Sequence, residues 1–98
     1  MNREGFIYLI RCEDYYKIGF TKDIEKRMKQ LDTRPFPMDL IAVKKSKIAF
    51  DIEQYIHKAF EPMMVENEWY HFNFSPNDKD FCEFVSEIEC RLTEGICL

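Results

Sequence analysis

GFIYLIRCEDYYKIGFTKDIEKRMKQL, residues 5–31, reads as two short strands joined by a polar turn and running into a helix. FIYLIR (6–11) and YYKIGF (15–20) are β-branched and aromatic with no breaker before Gly19. Cys12, Glu13 and Asp14 separate them, a turn short enough for an antiparallel hairpin. If the loop is the pair Glu13-Asp14, partners across the hairpin have numbers of opposite parity, and Tyr8 shares a face with Lys17. Ile7, Leu9, Tyr16 and Ile18 then lie on the other face. One face is core; the other holds Phe6, Tyr8, Ile10, Tyr15 and Lys17. A glycine inside a strand, Gly19, signals a bulge or the close approach of another backbone.

Thr21 is the expected N-cap of a helix to about Leu31, with Asp23 and Glu25 supplying its acidic first turn. Ile24, Met28 and Leu31 recur at helical spacing as its buried stripe. Arg27 borders that stripe and can reach back over the hairpin, while Lys22, Lys26 and Lys29 face solvent. Residues 32–39, with Pro35 and Pro37, read as a loop, and the apolar run 40–43 as a third strand, central or covered. Ser46 starts a second helix with Ile48, Ile52, Ile56, Ala59 and Phe60 on its apolar face and Pro62 as its stop. Glu53 and His57, four residues apart, project on one side of it. Residues 63–68 read as a loop and WYHFNF (69–74) as a short edge strand. Ser75-Pro76 then reads as the N-cap and first position of a third helix. Its stripe is Phe81, Val85, Ile88 and Leu92, and residues 93–98 are expected to fray. The expected fold is α+β, in the order β-β-α-β-α-(β)-α. A small, mainly antiparallel sheet of three strands or slightly more is flanked by helices, in one domain over residues 1–98.

Composition bounds the function. With 46% hydrophobic and 15% aromatic residues in 98, a folded globule is expected, long enough for a single core but too short for a catalytic module plus a separate targeting module. No apolar run approaches the ~20 residues that span a bilayer. The opening MNREG lacks the apolar core of a signal peptide, so a cytoplasmic protein with no membrane partner is expected. Cys12, Cys82, Cys90 and Cys97 form no C-x-x-C pair and no Cys/His alternation, so buried free thiols are expected rather than zinc or a redox dithiol. Cys82 and Cys90, if on one helix, are too far apart to bridge. The net charge of −4 is unevenly spread. Residues 1–47 carry 11 basic and 7 acidic side chains, a net of +4; residues 48–98 carry 3 against 11, a net of −8. A basic face on an acidic globule would attract phosphate locally. An ordinary solvated surface would carry the same charges.

Gly5-Phe6-Ile7-Tyr8, then Lys17-Ile18-Gly19, then Arg27 and a helical Glu53, resemble the GIY-YIG nuclease superfamily. Within it, YLIRCEDYYKIGFTKDIEKRMKQL, an E-x-x-x-H helix and an E-W-Y segment are similar to the phage- and bacteria-associated T5orf172/Mug113-like branch, over roughly residues 5–72. The resemblance implies a phosphodiesterase that depends on Mg²⁺ or Mn²⁺ and acts on DNA, RNA being an alternative. Tyr8 stands at the first-motif tyrosine, Arg27 at the helix arginine and Glu53 at the metal-binding glutamate. Lys17 replaces the second-motif tyrosine, and Leu31 stands where several members have a histidine or tyrosine.

Hydrolysis of a phosphodiester needs an activated water, neutralised phosphate charge and a stabilised leaving oxygen. Tyr8 would orient or deprotonate the water, helped by the Lys17 cation, or else is a tyrosine at the core edge. Arg27 offers a planar fork for two phosphate oxygens. Glu53 suits a cation that keeps most of its waters and takes one or two carboxylates. His57 is either a partner to that chemistry or a packed, hydrogen-bonded ring. Lys22, Lys26 and Lys29 are candidate contacts to the nucleic-acid backbone, and a partner protein would supply sequence recognition. Tyr15 and Phe6 are candidates to stack on a base, whereas Trp69 and Tyr70 read as core and rim. A catalytically inactive nucleic-acid-binding or protein-interaction module on the same fold is the competing reading.

Overall fold

The computed structural model describes residues 4–32, 38–66, 69–72 and 75–97. Strand β1 (Gly5–Cys12) and strand β2 (Tyr15–Thr21) lead into helix α1 (Ile24–Asp32). Strand β3 (Asp39–Ser46) and helix α2 (Ala49–Ala59) follow. A single 3₁₀ turn (Glu61–Met63) then precedes strands β4 (Met64–Glu66) and β5 (Trp69–His71) and helix α3 (Asp78–Cys97). The strands form one sheet in the order β3-β1-β2-β5-β4, every neighbouring pair antiparallel. The α+β class and the antiparallel sheet flanked by helices are as the sequence predicts; beyond the strand expected at residues 69–74, the sheet gains one short strand, β4.

The hairpin has the two-residue loop Glu13-Asp14, with Cys12 opposite Tyr15 and Tyr8 opposite Gly19. Glu13 takes a φ of 56°, the positive value a primed hairpin turn needs at its first central residue. Both sheet faces carry buried side chains, where the sequence reading expects one core face. Ile7, Leu9, Tyr16 and Ile18 pack with Ala49, Ile52 and Ile56 of α2 and Phe81, Val85 and Ile88 of α3. Tyr8 and Ile10 on the other face pack with Ile24 and Met28 of α1, Met38 and Val43. The α1 helix therefore lies on one face and α2 and α3 on the other. That assignment follows from hairpin parity, since a slip of one residue would exchange the two faces.

Several local expectations are corrected. Asp23, not Thr21, caps α1: its Oδ1 accepts from the Lys26 amide at 3.0 Å and its carbonyl from the Arg27 amide at 3.1 Å. Strand β3 is longer than residues 40–43 and lies at the edge, where Leu40 is 45% exposed. Its register against β1 shifts between Leu9 and Ile10, so that Ile41 is the extra residue. Ser46 ends β3 instead of opening α2; its hydroxyl accepts from the Ile48 amide at 3.1 Å and donates to the Glu89 carboxylate. Ala59 is exposed, and the buried Ala49 takes a place in the core.

Residues 64–66, read as loop, are the edge strand β4, and they move β5 inside the sheet. Asn77, not Ser75, caps α3, its Oδ1 accepting from the Asp80 amide at 2.8 Å. That helix runs on to Cys97 rather than fraying after Leu92. Cys12 and Cys82 are half-buried and Cys90 is exposed, all three unbridged, so these thiols are not core groups. Cys82 and Cys90 do share α3. Pro35, Pro37, Glu68, Asn73, Phe74 and Leu98 lie outside the described residues, as do the side chains of Leu31 and Cys97. Among the described residues no helix is long and apolar enough to cross a membrane.

Candidate active site

Capping by Asp23 starts α1 so that Ile24 and Met28 press on the hairpin, and Arg27 beside them leans back over it. Arg27 Nε donates to the Tyr8 hydroxyl at 2.9 Å, and Nη1 to Gln30 Oε1 at 3.4 Å. Its guanidinium carbon stands 5.8 Å from the centre of the Tyr8 ring. Tyr8 itself is 2% exposed. As the hydroxyl accepts from Arg27, its own proton stays available for a further acceptor.

Gly19 makes room for this tyrosine. A Cβ at position 19 would sit 2.3 Å from the Tyr8 hydroxyl oxygen and 2.4 Å from Cζ. The close approach expected at Gly19 is thus by the cross-strand aromatic ring, and β1 and β2 pair without a bulge there. Gly5 has a different neighbour: a Cβ there would meet the Thr21 carbonyl oxygen at 2.7 Å and Phe20 at 2.6 Å.

Lys17 pairs with Ile10 on one side and Trp69 on the other, and its Nζ lies 5.8 Å from the centre of the Trp69 indole. Arg27 is a cation that touches the Tyr8 phenol. Lys22, Lys26 and Lys29 are exposed, as the stripe of α1 predicts.

Glu53 and His57 stand one turn apart on α2, the helix on the opposite sheet face from α1. Glu53 is 9% exposed, beside Ile52, and its Oε1 accepts from Gln54 Nε2 at 3.1 Å. His57 bridges two groups: Nε2 lies 3.0 Å from the Ile18 carbonyl and Nδ1 2.7 Å from the Tyr70 hydroxyl. A carbonyl only accepts, so Nε2 carries the proton, and in the neutral ring Nδ1 accepts from Tyr70. The Ile18 carbonyl lies one residue past the end of the β2–β5 ladder, where the imidazole takes the place of a strand partner.

The structure thus brings Tyr8 and Arg27 into contact, sets Lys17 on the same face beside Trp69, and keeps Glu53 and His57 together on the helix behind. Among the described residues no group of three or more His, Cys, Asp or Glu side chains could hold a metal ion. Glu53 contributes a single, largely buried carboxylate that already accepts from Gln54. Two features were not read from the sequence: the partner of His57, and the pairing of β5 with β2 that sets Trp69 and His71 beside Lys17 and Tyr15. The alternation in WYHF gave the strand but not its neighbour.

Protein 460R of Invertebrate iridescent virus 6, described as uncharacterized, is 27% identical over 90 residues, covering 84% of this chain. The chain spans 41% of that relative's length. No solved structure matches it. The model of the T5orf172 domain matches residues 5–89, and the chain belongs to this GIY-YIG-like, nuclease-associated family.

Proposed function

We propose that the protein is a divalent-metal-dependent phosphodiesterase that hydrolyses DNA. The single observation that carries this reading is the Arg27–Tyr8 contact, a charged fork held against a buried phenol on the basic α1 side. Water attacks phosphorus, a proton leaves the water and the bond to the 3′-oxygen breaks. Tyr8 orients that water through its hydroxyl and relays the proton it loses to solvent, and the departing 3′-oxygen takes up a proton from solvent, so that the products are a 5′-phosphate and a 3′-hydroxyl. Arg27 binds the non-bridging oxygens, on which charge grows in the transition state. Lys17 adds positive charge to the same face, and Lys22, Lys26 and Lys29 hold the flanking phosphates without reading sequence. Glu53 would hold the Mg²⁺ or Mn²⁺, which would supply charge to stabilise the leaving oxygen, although α2 packs on the sheet face opposite Tyr8. His57 acts as a positioning residue, fixing the helix that carries Glu53 to β2 and β5. A partner protein supplies sequence choice, in a cytoplasmic setting.

Plasmid nicking with Mg²⁺ or Mn²⁺, comparing wild type with Glu53→Ala and Arg27→Ala, tests this. Metal-dependent nicking that both substitutions abolish is expected. Equal nicking in all three proteins overturns it. A second reading, DNA binding without turnover, is favoured by Lys17 in place of a tyrosine and by α2 packing on the face opposite Tyr8. It predicts salt-dependent affinity for duplex DNA and no nicking at any metal concentration.

A further inference from the structure

Helix α1 packs its Ile24 and Met28 on Tyr8 and Ile10 of β1 and Val43 of β3, and among the described residues it leaves Tyr15 of β2 and His71 of β5 exposed on the same sheet face. There the register sets Tyr15 opposite His71 and Lys17 opposite Trp69, four side chains in a two-by-two block. Tyr15 is 41% exposed, His71 is exposed, and Lys17 and Trp69 are half-buried. The Tyr15 and His71 rings stand 5.8 Å apart at 60°. The block adjoins the Tyr8–Arg27 pair, since Lys17 lies opposite Ile10 and Gly19 lies opposite Tyr8 on the same face.

The geometry points to a binding platform here for one or two unpaired nucleotides of a DNA strand, continuing from the phosphate held at Arg27. This deepens the nuclease reading and rests on it for the identity of the strand. Exposed π-faces beside the Lys17 cation suit bases and phosphates together; an aliphatic partner would call for aliphatic side chains. Bases stack on Tyr15, His71 and the open part of Trp69, while Lys17 meets the backbone. The exposed carboxylates of Glu13 and Asp14 close the hairpin beside Tyr15 and repel phosphate, so the backbone runs on the Lys17 side. Duplex DNA keeps its bases stacked on one another and offers this surface no π-face, which makes the platform selective for unpaired nucleotides.

Trp69 is the chain's one tryptophan and so reports on the platform directly. Titration with an eight-residue oligothymidylate, at low salt and with EDTA to prevent cleavage, should quench its emission saturably. Tyr15→Ala and His71→Ala should each weaken that binding about tenfold. Lys17→Gln should flatten its salt dependence by roughly one phosphate contact. Both ring substitutions fall on exposed positions, and thermal melts of the variants show that they remain folded. Unquenched wild-type emission, or affinity unchanged in both ring variants, overturns the proposal, as does stronger quenching by blunt duplex than by the single strand. The nuclease reading fails separately. Nicking without quenching removes the platform alone; quenching without metal-dependent nicking removes the nuclease and leaves the platform.

Discussion

Arg27 Nε donates to the Tyr8 hydroxyl at 2.9 Å, joining residues 19 apart in sequence and tying the first helix to a buried residue of the hairpin. Tyr8→Phe keeps the ring in its slot over Gly19 and removes only the hydroxyl, so it should cost about 1 kcal/mol of stability. The same change should slow nicking at least ~100-fold, since it removes the group that handles the proton. Arg27→Lys retains charge but not the fork, and should also lose most activity. Denaturant melts beside nicking rates check both. A Tyr8→Phe protein that nicks at the wild-type rate would show that the phenol only packs.

Gly19→Ala should be costly although its backbone is unstrained. The added carbon would lie 2.3 Å from the Tyr8 oxygen, so the ring must leave its slot and Arg27 must lose its acceptor. Overpacking of this kind costs about 1–3 kcal/mol. The cost should shrink when Tyr8→Ala is present, because the obstacle is then gone. Additive penalties in that double-mutant cycle would assign the effect to something other than the Tyr8 ring.

The hairpin, its register and the Arg27 position were legible because parity and helical spacing are local properties of residues 5–31. Met28 and Ile24 at four-residue spacing already oriented Arg27 toward the strands. What was not legible depended on contacts between distant segments. The run 40–43 is as apolar as a central strand, yet β3 lies at the edge; its Ile41 and Ala42 owe their burial to helices on one face. Three residues, Met64–Glu66, are too few to show a strand period, and only pairing with β5 makes them one. Thr21 and Ser75 have good capping chemistry but lost the position to Asp23 and Asn77, each two residues nearer the helix. The role of His57 was invisible because both of its partners, Ile18 and Tyr70, come from other strands.

Two thiols of the last helix, Cys82 and Cys90, should react in a fixed order. Burial pushes the Cys82 thiol up from its ordinary value, and the Asp78 carboxylate, accepting from Sγ at 3.6 Å, pushes it further; Lys44 acts weakly the other way. A raised thiol has less reactive thiolate at a given pH, while Cys90 is exposed. Iodoacetamide at pH 8 should therefore label Cys90 before Cys82, with Cys82 gaining on it as pH rises. Asp78→Asn should quicken Cys82. Peptide mapping by mass spectrometry decides this, and a Cys82 that labels first would show the thiol to be unshielded.

His57 separates a structural role from a chemical one. Its ring sits between the Ile18 carbonyl and the hydroxyl of Tyr70, a residue with no exposed surface. Removing the ring withdraws a hydrogen-bond partner from both, so His57→Ala should cost about 2 kcal/mol in urea unfolding. Tyr70→Phe should cost less than that, and the double variant less than the sum, because the two side chains form one bridge. Nicking by His57→Ala, measured well below its melting temperature, should fall only as far as Glu53 loses its placement, and rise again when Gln restores a donor toward Ile18. Unchanged unfolding together with lost cleavage would instead put the imidazole in the reaction itself.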